Sequence, residues 1–164
     1  MSAIISNCGT FRYRLDREII AGNNKAVAWI MVNPSTADAT LNDQTIKKVI
    51  GFSERNGFGR AIVGNIFAYR ATDVRELEST NDPVGPDNDT HLQRIIDESD
   101  KIIVAWGSID KVPAIWRFRW SVVYDMIINS GGRLPFCLGS CKNGHPKHPQ
   151  MLGYNTPLTI WSRP

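Results

Sequence analysis

The sequence predicts an α/β fold, with helices on both faces of a central, mainly parallel sheet of four strands, a three-layer α/β/α arrangement. Four apolar runs alternate along the chain with segments of helical periodicity. The runs are apolar throughout rather than at every second residue, the pattern of strands covered on both faces. Each is bounded by polar, Gly- or Pro-bearing segments, which are turn chemistry.

Taken in order, FRYRL (11–15) alternates and reads as an edge strand. KAVAWIMV (25–32) is the first buried strand and stops at Asn33-Pro34. Asp43 can cap a helix running to about Arg55, with Ile46, Val49, Ile50 and Phe52 on its apolar side and NGFG closing it. AIVGNIFAY (61–69) is the second buried strand, followed by a short helical stretch at 73–79 and the turn-rich NDPVGPDND. A helix runs from about Asp89 to Glu98 through Leu92, Ile95 and Ile96. KIIVAWG (101–107) is the third buried strand, stopped by Gly107. Pro113 suits the first turn of a helix reaching about Asn129, in which Trp116, Trp120, Val123, Tyr124 and Ile127 recur at helical spacing. Gly131-Gly132 ends it, RLPFCLG (133–139) is the fourth strand, and LTIW near the end is a last edge strand.

The 164 residues are 42% apolar, with no internal repeat, low-complexity tract or linker, so a single domain spanning 1–164 is expected. No apolar run approaches the ~20 residues that span a bilayer. The opening MSAIISNCGT lacks the basic and apolar regions of a signal peptide. Three cysteines are too few for a disulfide framework. A cytoplasmic protein with reduced thiols is the expectation, with no membrane association and no protein partner implied. Nineteen Lys and Arg against 16 Asp and Glu give +3, which permits a polyanionic partner without requiring one. Lys111, Arg117, Arg119, Arg133, Lys142, Lys147 and Arg163 meet few acids in the last third, a pattern shared by an ordinary solvated surface.

In parallel sheets covered on both faces, ligands bind beyond the carboxyl ends of the strands. Attention therefore falls on Asn33 to Thr36, Asn65 to Tyr69, Trp106 to Ser108, and Gly139 to Leu152. No GxGxxG follows a strand, and neither GxxxxGK[ST] nor GxSxG occurs, which argues against Rossmann dinucleotide binding, P-loop chemistry and a hydrolase elbow. No cofactor is implied. Cys137, Cys141, His145 and His148 are potential zinc ligands, but Cys137 lies inside an apparent strand and each histidine precedes a proline that holds the chain extended, so no metal site is expected.

GHPKHPQML is the most unusual segment: two His-Pro steps place two imidazoles on a stiff loop beyond the fourth strand. Both histidines could be plain surface residues. Their position favours stabilising or protonating a leaving group instead. Asn33 and Asn65 end adjacent strand runs; each could close a turn, orient water, or read the donor–acceptor edge of a base. Phe67, Tyr69 and Trp106 offer a stacking face and are equally at home in a core or rim. WRFRW interleaves aromatics with arginines as nucleic-acid grooves do, although Trp116 and Trp120 lie one helical turn apart, which suits core packing.

FRYRL, MVNPSTAD, NIFAYRATD, DPVGPDND, AWG, and CLGSCKNGHPKHP with its downstream TPL resemble, in order, a bacterial and phage family catalogued as domain of unknown function 1643. More distantly, MVNP, IVGN, IVAWG and HPQML are similar to the four strand-end motifs of the uracil-DNA glycosylase superfamily. That resemblance implies a uracil-DNA-glycosylase-like fold and a metal-independent DNA glycosylase. Such an enzyme hydrolyses the N-glycosidic bond of a flipped-out pyrimidine and leaves an abasic site, in repair or in defence against phage DNA. It implies that Asn33 positions water, Asn65 holds the base edge and His148 stabilises the departing base. Leu152, with Met151 in place of the motif's second proline, fills the vacated stack. Pro34, Ser35, Phe67, Tyr69 and Trp106 would line the base pocket, while Lys142 and Lys147 would meet phosphates of duplex or single-stranded DNA. Asp38 and Asp43 are the reserve carboxylates, and His145 the reserve acid. Ser35, Thr36 and Ala37 are small where strict uracil enzymes carry an aromatic residue, which implies a modified, 5-substituted pyrimidine. Two other readings stay open: a non-catalytic nucleotide or modified-base binding module, and a hydrolase of a free nucleoside or nucleotide.

Overall fold

Val27, Trp29 and Met31 face one way from a strand and Ala26, Ala28 and Ile30 face the other, and all six are buried. That strand, β3 (Ala26–Met31), is the middle of the sheet in the computed structural model, which describes residues 1–164. The other strands are β1 (Ser2–Ile5), β2 (Arg12–Glu18), β4 (Arg60–Asn65), β5 (Lys101–Val104), β6 (Phe136–Cys137) and β7 (Thr159–Ile160). Their order is β1-β2-β4-β3-β5-β6-β7. β3 pairs in parallel with β4 and β5, and β5 with β6. The outer pairings, β1 with β2, β2 with β4, and β6 with β7, are antiparallel.

The α/β class therefore holds, but the sheet is mixed and has seven strands, not four. FRYRL is no edge: its strand runs on to Glu18 and is flanked by β1 and β4. β1 escapes a pattern reading because its four residues are short and alternate only between exposed and half-buried. The fourth run shortens to Phe136–Cys137. Pro135 ahead of it has no N–H to donate, and Gly139 behind it turns the chain at φ +89°. The segment from Pro113 to Asn129 is not one helix. It divides into a 3₁₀ turn (Ala114–Trp116) and an α-helix from Arg119 to Asn129. Arg117 turns back between them to donate to the carbonyls of Val112 and Asp110, at 3.0 Å each.

Helix α1 (Gln44–Arg55) covers one face of the sheet, packing Ile46, Val49 and Phe52 on Val27, Trp29, Val63 and Ile103. Leu152, Tyr154 and Leu158 extend that layer. Helices α2 (Asn88–Asp97) and α3 (Arg119–Asn129) cover the other face, burying Leu92, Ile95, Ile96, Val123 and Ile127 on Ala28, Ile30, Ile62 and Val104. Trp106 and Trp161 are buried in this second cluster, with Trp116 and Trp120 packed against it. The sequence spacing explains the division, since alternate residues of a strand reach opposite faces. No helix is long and apolar enough to cross a membrane.

Candidate functional site

Beyond the carboxyl end of β3 lies a cavity of about 630 Å³. Its walls are the strand exit (Met31, Val32, Asn33, Ser35), the start of α1 (Asp43 to Ile46) and the segment Ala71 to Val74. Lys111, His148 and Gln150 close it from the far side, and Arg12 reaches it from β2. Asn33, Ser35, Asp43 and His148, which the sequence places on three separate segments, thus share one enclosure.

Asn33 is held by its amide nitrogen. Nδ2 donates to the carbonyl of Ala71 at 2.7 Å and to that of Pro34 at 3.3 Å, which leaves Oδ1 as a free acceptor. His148 is held by one ring nitrogen: Nδ1 accepts the backbone N–H of Gln150 at 3.4 Å. The proton of the neutral ring therefore sits on Nε2. Burial lowers the His148 pKa below the ordinary imidazole value, and the carboxylate of Asp43 opposes that shift. Asp43 itself caps α1, accepting the N–H of Ile46 on Oδ1 at 2.8 Å. Gly107 turns the chain after β5 at φ +77°, and a β-carbon there would stand 3.4 Å from the β-carbon of His148. The glycine of AWG is thus called for by its left-handed backbone conformation, and the histidine loop packs within van der Waals reach of it.

Sequence reasoning missed Arg12. It is only 2% exposed, yet it lines the cavity. Nη1 donates to the carbonyl of Ala37 at 2.7 Å, while Nε is buried with no partner. Burial lowers its pKa to about 10, an effect opposed by Asp43 and reinforced by Arg70 and Arg17. A β-bulge explains its aim. Ile4 pairs with Arg14 and Ile5 with Arg12, so Tyr13 is an unpaired extra residue. Tyr13 stacks on His91 of α2 and Arg14 bonds Glu98, whereas Arg12 is returned to the α1 side, where it meets Ala37. Gln44, Thr45, Thr72, Asp73 and Val74 are further wall residues without a sequence signal, while Lys111 figures only in the basic set of the last third and Gln150 only as part of the His-Pro segment.

Other expected residues lie elsewhere. His145 is buried at 4% exposure among Trp106 and Trp120, and its Nδ1 accepts the Nε1–H of Trp106 at 3.3 Å. It is a core histidine; burial lowers its pKa and Asp110 opposes the shift. Phe67 and Trp106 are core residues and present no stacking face, and Pro34 is buried behind the cavity wall. Asn65 is 1% exposed and does not line the cavity, but neither atom of its amide has a partner. It pairs in register with Met31, which does line the cavity. Tyr69 borders a neighbouring cavity of about 400 Å³, which shares Ser35, Ala71 and Thr72 with the first. The Asp38 carboxylate closes its own turn, accepting from the N–H groups of Thr40 and Leu41 at 2.8 Å each, bonds that lower its pKa.

Lys142 and Lys147 are exposed on the loop that carries His148. Leu152 is tucked against the α1-side cluster, and its carbonyl accepts from Lys48 at 2.7 Å. Met151 beside it is 90% exposed. Cys137, Cys141, His145 and His148 do not converge: no group of three or more His, Cys, Asp or Glu side chains is placed to hold a metal ion.

A family model described as Protein of unknown function (DUF1643) matches residues 12–150, and the chain belongs to that family. No curated protein and no solved structure matches it.

Proposed function

We propose that this member of the family is a DNA glycosylase that removes an extruded, 5-substituted pyrimidine. The observation that carries the reading is the pairing of Asn33 and His148 in one cavity at the strand exits. Each is anchored to backbone through one polar atom and free at the other. The parallel set β4-β3-β5-β6, with functional groups after its carboxyl ends, also supports it.

The target nucleotide leaves the stack at a cost of a few kcal/mol and its base enters the cavity. The C1′–N bond breaks with its electron pair going to the base, and the sugar becomes oxocarbenium-like. Asn33 Oδ1 accepts a hydrogen bond from water and aims it at C1′. Water supplies hydroxyl to C1′ and its remaining proton to the departed base. Asn33 takes no proton; so dissociative a step needs water positioned more than ionised. His148, neutral at pH 7, donates Nε2–H to a base oxygen as negative charge develops there, inside an enclosure where such a bond is strong. Asp43 shares the cavity and is the carboxylate placed to steady the sugar cation. The unpartnered amide of Asn65 offers one donor and one acceptor to the base edge when the Met31 wall admits a ligand. Ser35 leaves room beside the base, since the second cavity opens past it.

The test is an abasic-site assay without added metal on duplex and single-stranded DNA carrying uracil, thymine mismatches, and hydroxymethylated or glycosylated pyrimidines. Base release that is lost in Asn33→Ala and His148→Ala establishes the reading. Absence of release from every substrate by the folded protein overturns it in favour of a binding module or a free-nucleotide enzyme.

A further inference from the structure

We infer that Arg12 is a further catalytic residue, a buried guanidinium that binds the pyrimidine as it departs with negative charge. The inference rests on the glycosylase reading. Arg12 is a charge buried at 2% exposure with no salt bridge, one protein acceptor and an orphaned Nε. Leaving a buried charge unpaired is costly, and folded chains avoid it unless a ligand or a reaction uses the group. Arg12, Asp43 and His148 all line the same cavity, so the guanidinium and the imidazole face one ligand space.

Depth decides which part of a nucleotide Arg12 meets. Phosphates stay on the strand outside the cavity, within reach of Lys111, the exposed lysine among the wall residues. A group as deeply buried as Arg12 meets the inserted base. Guanidinium N–H groups donate to a carbonyl oxygen or a ring nitrogen of the base, and they bind harder once the C1′–N electron pair has moved there. The bulge at Tyr13 is the local device that turns this side chain to the cavity.

The test joins turnover to ligand ionisation in wild type, Arg12→Gln and Arg12→Lys, with thermal unfolding to establish that each is folded. Turnover is compared on substrates whose leaving bases differ in acidity, such as 5-fluorouracil and uracil. Separately, free 5-nitrouracil is titrated into each protein across pH, since its anion absorbs at longer wavelength than the neutral base. Arg12→Gln should lose at least tenfold more rate on the poorer leaving group, and should raise the pKa of the bound base by about one unit, the same factor of ten. Arg12→Lys should recover part of both. An even loss on all substrates with unchanged ionisation of the bound base overturns the role of Arg12 and leaves the glycosylase standing. No turnover with Arg12-dependent binding of the anion overturns the glycosylase and keeps the anion site. Failure of wild type to bind the base anion overturns the inference outright.

Discussion

Asn33 donates to the carbonyl of Ala71 at 2.7 Å, and this bond ties the exit of β3 to the segment that follows β4. It also decides which end of the amide faces the cavity. Replacing Asn33 by Ala should cost about 1–2 kcal/mol of stability, because the carbonyl of the nearly buried Ala71 loses its donor. It should also reduce base release by about 10²-fold or more. Asn33→Asp presents an oxygen to that carbonyl in place of N–H and should lose at least as much stability at neutral pH. Urea unfolding and single-turnover rates measure the two effects separately.

Burial lowers the His148 pKa, and the glycosylase reading proposed above gives it the role of a neutral donor. The rate should then be flat from neutral pH upward and fall only at pH values below the ordinary ~6.5 of imidazole. His148→Gln keeps a donor and should retain more activity than His148→Ala. A pH–rate profile that instead rises toward acid would mean the imidazolium is the active form, which would sink this assignment.

All three histidines, His91, His145 and His148, have their pKa lowered by burial. The unfolded chain therefore binds protons that the folded chain refuses. Stability should be full above ~6.5 and decline as pH falls below it toward the folded values. His145→Leu should flatten that decline, while costing about 1–3 kcal/mol at pH 7 because the Nε1–H of Trp106 loses its acceptor. Chemical denaturation at a series of pH values from 5 to 8 checks both.

Met151 and Leu152 should separate cleanly. Met151 is 90% exposed beside the His148 loop, and on the proposed glycosylase reading it is the side chain that would enter a duplex. Met151→Ala should slow release from duplex DNA and spare single-stranded substrate, with no change in unfolding. Leu152→Ala should cost about 1–2 kcal/mol of stability, less than a fully buried leucine, and should act on both substrates alike. Lys147→Ala should reduce the slope of log affinity against log salt by about 0.9 if the lysine meets one phosphate.

The strand exits were the legible part of the site. Asn33, Ser35, Asp43 and His148 were reachable because a parallel sheet collects ligand-binding residues at one edge, and each follows a recognisable run or cap. Arg12 was not reachable. Strict alternation along FRYRL puts Arg12 and Arg14 on one face, and only the unpaired Tyr13 separates them. His145 and His148 share the same His-Pro step; Trp106 and Trp120 close over the first, while only the second lines the cavity. Phe67 and Trp106 turned inward because β4 and β5 end before them and the chain continues into the α2–α3 layer. Strand lengths at the rim were the least legible, since β1, β6 and β7 are too short to show a period.

The sheet also partitions the indoles. Trp29 alone lies in the cluster beneath α1, while Trp106, Trp116, Trp120 and Trp161 belong to the opposite side. Intrinsic fluorescence is thus two reporters in one chain. Trp29→Phe would leave an emission spectrum belonging wholly to the α2–α3 layer, and subtracting it from that of the native protein isolates the indole on the α1 side. Ligand titrations followed in that difference would register occupancy of the cavity without any attached dye.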